Sequence, residues 1–585
     1  MTKKYKFQSN VYFLGAFATI GGMLFGFDIS SMSGVVGTQR YQDYFHKPSS
    51  SLQGGIVASM AAGSFLGALL AGPLGDKISR KRTIMLGACI WIVGSIIQCA
   101  SVNVGMLIVG RIINGIAVGL CSMIVPVYQS EIAPKDVRGR IVSLQQWAIT
   151  WGILIQYFIQ YGCSFIESNA AFRIPWGVQV VPGLILLAGM TLFPYSPRWL
   201  ADKGRDQEAL QVLADLRAGG NQNDPYVQAE FKEIQDAITF DRTQAARSYL
   251  ELFRHPYGRR VFLGMALQSW SQLTGMNVAM YYIVFIFQGA GITGQNANLQ
   301  ASSIQYVLNV VMTIPAIMFI DRWGRRPVLL VGSTLMALWL FLIGGLMGRF
   351  GSASTFEGNT TTTWAISGND TASHAVIACS YLFVCSFAIS WGPVSWTYPA
   401  EIYPLRVRSK AVSLSTASNW AFNFILAYAV PPALEHIQYR TYFIFAGFCV
   451  AMTIHVFFMY PETKGRTLEE MDDLFNSGVP AWKTHSQPVS HLNSDAEQVK
   501  MQQGHGGEKT EVEAVDRSAH VDSPVPAGHT LPGERNTGVG HSGGAFSQRV
   551  SPSVPTGHTL PGEHNAAVDH SDSAYVQPEH HLETK

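Results

Sequence analysis

Residues 75–82 read GDKISRKR and residues 321–327 read DRWGRRP. In each, an aspartate (Asp76, Asp321) stands four residues before an arginine (Arg80, Arg325), just past a long apolar run. A second motif also occurs twice: Glu131-Ile-Ala-Pro134 with Arg138 seven beyond the glutamate, and Glu401-Ile-Tyr-Pro404 with Arg408 seven beyond. The copies lie 245 and 270 residues apart, so the chain reads as two homologous halves, the second with a longer loop between its motifs.

Composition says what kind of halves these are. Of 585 residues 48% are hydrophobic and only 14% charged, against about 25% charged in soluble domains. A bilayer core needs roughly 20 apolar helical residues, and twelve stretches supply them: 11–34, 52–74, 83–101, 105–127, 141–163, 176–194, 260–290, 302–320, 328–348, 374–397, 410–430 and 440–460. The expected fold is an all-α integral membrane protein built from two six-helix pseudo-repeats. Lys77, Arg80, Lys81 and Arg82 follow span 2, and Lys135, Arg138 and Arg140 follow span 4. Arg322, Arg325 and Arg326 follow span 8, and Arg406, Arg408 and Lys410 follow span 10. Basic short loops collect in the cytoplasm, which places both termini there. The sequons at Asn359 and Asn369 then fall outside as candidate glycosylation sites. The basic start, Met-Thr-Lys-Lys-Tyr-Lys, lacks a small-residue cleavage site and reads as an uncleaved first helix.

The expected divisions are an N-terminal half over 1–194, a charged helical cytoplasmic linker over 195–258, a C-terminal half over 259–479, and a disordered cytoplasmic tail over 480–585. The tail is rich in Gly, Pro, Ser and His, and repeats GHTLPGERN (528–536) as GHTLPGEHN (557–565). Such a composition buries too little apolar surface to offset chain entropy. A net charge of +2 excludes a nucleic-acid partner by composition. The seven cysteines lie in or beside apolar runs with no C-x-x-C spacing, as small buried hydrophobes do. Sequence spacing places no nucleophile with its base, no phosphate loop and no metal cluster, so no enzyme, no metal site and no cofactor is expected.

Two six-helix halves rocking about a midplane site give alternating access. Two roles are open to Asp76, Arg80, Glu131, Arg138, Asp321, Arg325, Glu401 and Arg408. They form a cytoplasmic gate that breaks as the halves separate, or they anchor helices at the headgroups and set topology.

Five motifs carry a resemblance across residues 10–475: GRIINGIAVG (110–119), PVYQSEIAPKDVRGR (126–140), SQLTGMNVAMYY (271–282), DRWGRR (321–326) and PETKG (461–465). The chain resembles the sugar porter family of the major facilitator superfamily. FGFDISSMSGVVGT (25–38) and WSQLTGMN (270–277) are most similar to its fungal high-affinity, proton-coupled glucose transporters. Two departures stand out. The family's P-E-S-P-R is Pro194-Tyr195-Ser196-Pro197-Arg198 here, and its Gln-Gln in span 7 is Ser271-Gln272.

A sugar presents donating and accepting hydroxyls around an apolar face, which amides and aromatic rings complement. The spans hold Phe25, Gln146, Gln272, Asn277, Asn309, Trp396, Trp420 and Asn423. The resemblance implies that Gln146, Gln272, Asn277, Asn309, Trp396 and Asn423 hold the pyranose; taken singly, each amide could equally serve an interhelical hydrogen bond. Asp28 and Arg111 are charges inside apolar spans, functional by default. The resemblance implies a proton acceptor and its partner, with a static ion pair as the alternative. The expected activity is import of glucose, then xylose or galactose, with protons across the plasma membrane. The protein would act as a monomer in the lipid bilayer. A facilitative uniporter and a non-transporting sugar sensor are the alternatives.

Overall fold

The computed structural model describes residues 10–486, apart from 36–37, 135–136, 245–248, 255–256, 292–294, 355–362, 467–470, 472–473 and 476. Asn359 and the chain beyond 486 therefore lie outside the described residues.

The chain runs through α1 (Val11–Ala18), α2 (Ile20–Ser33), α3 (Gln39–Tyr44), α4 (Ser50–Ile78), α5 (Arg80–Cys99), α6 (Val104–Ile132), α7 (Arg138–Cys163), α8 (Ala170–Val178) and α9 (Val180–Thr191). Three helices outside the apolar runs follow: α10 (Pro197–Asp202), α11 (Asp206–Arg217) and α12 (Pro225–Gln244). The remainder is α13 (Gly258–Leu273), α14 (Met276–Tyr281), α15 (Ile283–Gly289), α16 (Gln295–Trp323), α17 (Arg325–Phe350), α18 (Asp370–Ile389), α19 (Trp391–Ile402), α20 (Leu405–His436) and α21 (Arg440–Met459). A short antiparallel pair, β1 (Gly351–Ala353) and β2 (Trp364–Ile366), is the small exception to an all-α fold.

Asn10, Ser49, Asn103 and Asn369 end their preceding loops and accept from a backbone N–H three residues on, capping α1, α4, α6 and α18. Where α4 crosses α6, Gly63 and Gly67 face Gly115 and Gly119, and a Cβ on any of the four would lie within 3.0 Å of a carbonyl oxygen of the opposite helix. Small residues four apart allow this backbone approach, the usual source of helix association in lipid.

Among the described residues nine helical stretches are long and apolar enough to cross a membrane. The expected spans 141–163, 260–290 and 410–430 are helical but fall short of that threshold. Polar side chains dilute α7 and α20, while the third is broken into α13, α14 and α15 at Gly275, where φ is +83°. These three are also the segments that carry most of the amides.

The repeat is visible in the backbone. Ser79, ahead of α5, has φ 99° and ψ 155°; Gly324, ahead of α17 and 245 positions later, has φ 86° and ψ 158°. Tyr128 donates its hydroxyl to the carbonyl of Pro194, and Tyr398, 270 positions later, donates to that of Pro461. The α10–α12 segment has its own apolar core of Trp199, Leu200, Leu213, Val227, Phe231 and Ile234. Ordered structure continues past 479 as a 3₁₀ turn over Ala481–Ser486, where Ala481 and Thr484 are buried and Thr484 Oγ1 accepts from Glu462 N. Four cysteines are buried, but Cys89 is exposed, on the outer face of α5.

Candidate functional site

A cavity enclosing about 400 Å³ lies between the halves, among α2, α7, α13, α14, α16, α18, α19 and α20. Six of the eight expected sugar-contacting residues line it: Phe25, Gln146, Gln272, Asn277, Asn309 and Trp396. The other two stand one layer behind. Trp420 packs edge-on to Phe25 at 4.7 Å and donates to Ser122 Oγ at 3.1 Å, joining the halves. Asn423 donates to Gln272 Oε1 at 3.0 Å.

The amides form a directed chain. Gln272 Oε1 also accepts from Asn277 Nδ2 at 2.8 Å, and Gln272 Nε2 donates to Asn419 Oδ1 at 2.6 Å. Asn419 donates in turn to Gln268, whose Nε2 donates to the carbonyl of Ser395 at 2.7 Å. Each amide is thereby fixed in orientation while keeping donor or acceptor capacity for a hydroxyl. Trp396 Nε1 donates to Gln146 Oε1 at 3.0 Å across the halves. Asn309 Oδ1 is buried with no hydrogen-bond partner, an acceptor held ready at a cost.

Several lining residues escaped the sequence reading: Asn419, Ser395, Phe387, Met276 and Met280. Asn419 had a findable signal, since it lies four residues before Asn423 and so shares its helix face. Ser271, standing where the family carries an amide, also lines the cavity, so its shorter side chain leaves that corner wider.

Asp28 and Arg111 form an ion pair at 3.0 Å with both side chains fully buried. Arg111 also donates to the carbonyls of Ile56 at 2.9 Å and Val57 at 3.3 Å. Its guanidinium therefore stays partly satisfied if Asp28 loses its charge. Asp28 lies three residues from Phe25 on α2, which connects the pair to the cavity wall.

The repeated ion clusters tie helices within each half. Arg80 contacts Asp76 at 3.1 Å and Glu131 at 3.0 Å, and Arg325 contacts Asp321 at 2.9 Å and Glu401 at 2.6 Å. The Arg80–Glu131 and Arg325–Glu401 pairs each lie inside one half, because the arginine starts a helix next to the helix that ends in its glutamate, while Asp76 also faces Ser409 and Lys410 of the other half. Arg408 donates to the carbonyl of Tyr403. A charged link across the halves is Arg140 to Asp321 at 3.7 Å. On the same side Ser409 donates to the Gly72 carbonyl at 3.3 Å and Ser143 meets Thr397 at 3.3 Å. Toward the other end the Tyr306 hydroxyl reaches Ser33 at 3.3 Å and its ring lies 4.6 Å from that of Tyr157. The halves touch on both sides of the cavity.

Glu462 was not singled out as a site residue, yet its carboxylate accepts from the backbone N–H groups of Arg325 and Arg326 at 2.9 and 3.1 Å, capping α17. The equivalent position in the first half is Tyr195, 267 residues earlier. Its ring takes Lys81, Arg82 and Arg205 at 5.1, 5.9 and 5.6 Å instead, a weaker attraction than a carboxylate provides. Asn369, the described sequon, spends its Oδ1 on the Ala372 N–H at 3.0 Å.

The sequence profile described as "Sugar (and other) transporter" matches residues 14–475. The chain belongs to this family. A similar relative is the MFS glucose transporter mfs1 of Aspergillus flavus, 56% identical over 81% of this chain and 91% of the relative. The high-affinity glucose transporter of Kluyveromyces lactis is 48% identical over 82% and 88%. The high glucose sensor RGT2 of Saccharomyces cerevisiae is 36% identical over 80% of this chain and 61% of its own length. Among solved structures, the proton:xylose symporter XylE bound to 6-bromo-6-deoxy-D-glucose superposes with a TM-score of 0.69 at 26% identity, over 80% of this chain and 99% of XylE. The protein is thus a multi-pass membrane protein of the major facilitator fold, in a family of sugar transporters and not of enzymes.

Proposed function

We propose that the protein imports monosaccharide together with protons across the plasma membrane, with glucose preferred and xylose or galactose as further substrates. Twelve spans, cytoplasmic termini and alternating access of the two halves complete this reading. The observation that carries it is the cavity between the halves, rimmed by Gln146, Gln272, Asn277, Asn309 and Asn419 with Trp396 on one wall. Amides suit hydroxyls and an indole suits the apolar face of a pyranose. The buried Asp28–Arg111 pair on the neighbouring helices supports coupling, since protonating Asp28 would release an arginine otherwise held. Arg140–Asp321 and the Ser409 and Ser143 contacts supply a gate that opens as the halves rock. Asn359 and Asn369 are the proposed glycosylation sites.

The deciding experiment is uptake of labelled glucose in transporter-deficient cells, at acid and neutral external pH, with and without a protonophore. Accumulation above the external concentration that collapses with the protonophore is expected. Entry that merely equilibrates would make the protein a uniporter with a static ion pair. A sensor is the second reading, favoured by the likeness to RGT2; surface expression with sugar binding and no entry would establish it.

A further inference from the structure

A second cavity, of about 480 Å³, lies wholly within the C-terminal half, among α14, α15, α17, α18, α20 and α21. Its walls are almost entirely apolar, which distinguishes it from the amide-rimmed site. The two cavities share a wall. Met276, Asn277 and Met280 face the first, while Thr274, Gly275, Val278 and Ala279 face the second. That wall is the six-residue α14, cut from α13 by the left-handed Gly275 and from α15 at Tyr282. A helix of six residues, interrupted on both sides, has little rigidity of its own and takes its position from what packs against it.

Thr274, Ser380, Thr441 and Tyr442 bring hydroxyls to the otherwise apolar lining. Thr441 Oγ1 is buried with no hydrogen-bond partner. Thr274 and Ser380 already spend their hydroxyls on Ser271 and Gln305, so an apolar space with the unpartnered Thr441 hydroxyl matches a compact hydrophobic molecule bearing one hydroxyl.

We propose that this cavity is a second ligand site for such a molecule, and that its occupancy fixes α14 and so alters the sugar site through the shared wall. Energetic coupling of this kind is reciprocal, so sugar would change the affinity of the second ligand by the same factor.

The test uses the full-length protein with 1-adamantanol, and adamantane as the probe lacking the hydroxyl. Thermal unfolding should show a saturable rise in Tm with either probe, with 1-adamantanol the tighter binder. Thr441→Val should weaken 1-adamantanol about five- to tenfold, the cost of one hydrogen bond, and leave adamantane unchanged. Val278→Phe should fill the cavity and abolish both shifts. If that variant fails to fold, Thr441→Val alone decides. No shift, or equal shifts in wild type and variants, would mean partitioning into the micelle and would overturn the site. Saturating 1-adamantanol should also change glucose affinity at least threefold. Binding without any such change would overturn the coupling. Absence of glucose binding altogether would count against the proposed substrate, while the Tm shifts would still decide the cavity.

Discussion

Replacing Asp28 by asparagine keeps the shape of the buried pair and removes its charge. At 3.0 Å and an effective dielectric of about 20, the attraction between Asp28 and Arg111 is about 5.5 kcal/mol. A neutral residue at position 28 forfeits that whole term whether neutrality comes from a proton or from an amide, so the Asp28→Asn protein mimics one protonation state permanently. The folding cost stays below the roughly 3–5 kcal/mol of breaking a buried pair, because Arg111 retains the carbonyls of Ile56 and Val57. One proton per sugar, driven by 100 mV and one pH unit, supplies about 3.7 kcal/mol, an accumulation ratio of about 500. Proteoliposomes with an imposed potential and pH gradient should show that ratio for the wild type. For Asp28→Asn the ratio should fall to about one, while counterflow of labelled against unlabelled glucose, which needs no net proton movement, persists. Accumulation by Asp28→Asn at the wild-type ratio would refute the coupling role. Loss of counterflow as well, in a protein with unchanged Tm, would show that Asp28 serves the rocking step itself.

Trp396→Ala removes both the indole face and the donor to Gln146 and should weaken glucose binding at least tenfold in an equilibrium assay; unchanged affinity would remove Trp396 from the site. Asn309→Ala deletes a buried acceptor that has no partner, so Tm should hold or rise while glucose affinity drops about tenfold; a fall in Tm at unchanged affinity would make Asn309 structural. Glu462→Ala strands the N–H groups of Arg325 and Arg326 and should cost about 2–3 kcal/mol, read as a lower Tm, whereas Tyr195→Glu should raise Tm by giving Lys81, Arg82 and Arg205 a carboxylate. Gly115→Ala places a methyl against the Met60 carbonyl and should cost about 1–3 kcal/mol, also measured as Tm.

What could be read from the sequence and what could not follows from what each pattern constrains. Apolar length constrains a helix to cross a bilayer, so twelve stretches could be read from the sequence; α7, α13–α15 and α20 carry the weakest signal of them, because the amides that make the site also lower the apolar character. Motif spacing constrains which residues reach one end of the bundle. It does not say which helix stands beside them: Arg80 meets Asp76 and Glu131 within its own half, while Asp321 is shared between Arg325 and Arg140 of the other half. The repeat itself carried more information than its charges suggested. Aligning Pro194 with Pro461 sets Tyr195 opposite Glu462, and the hydroxyls of Tyr128 and Tyr398 on those two carbonyls show that the positions coincide in space. The second half caps its helix with a carboxylate and the first surrounds an aromatic ring with cations, so the repeat keeps the position beside the helix start while changing the chemistry that holds it, and residue 195 is where the two halves part.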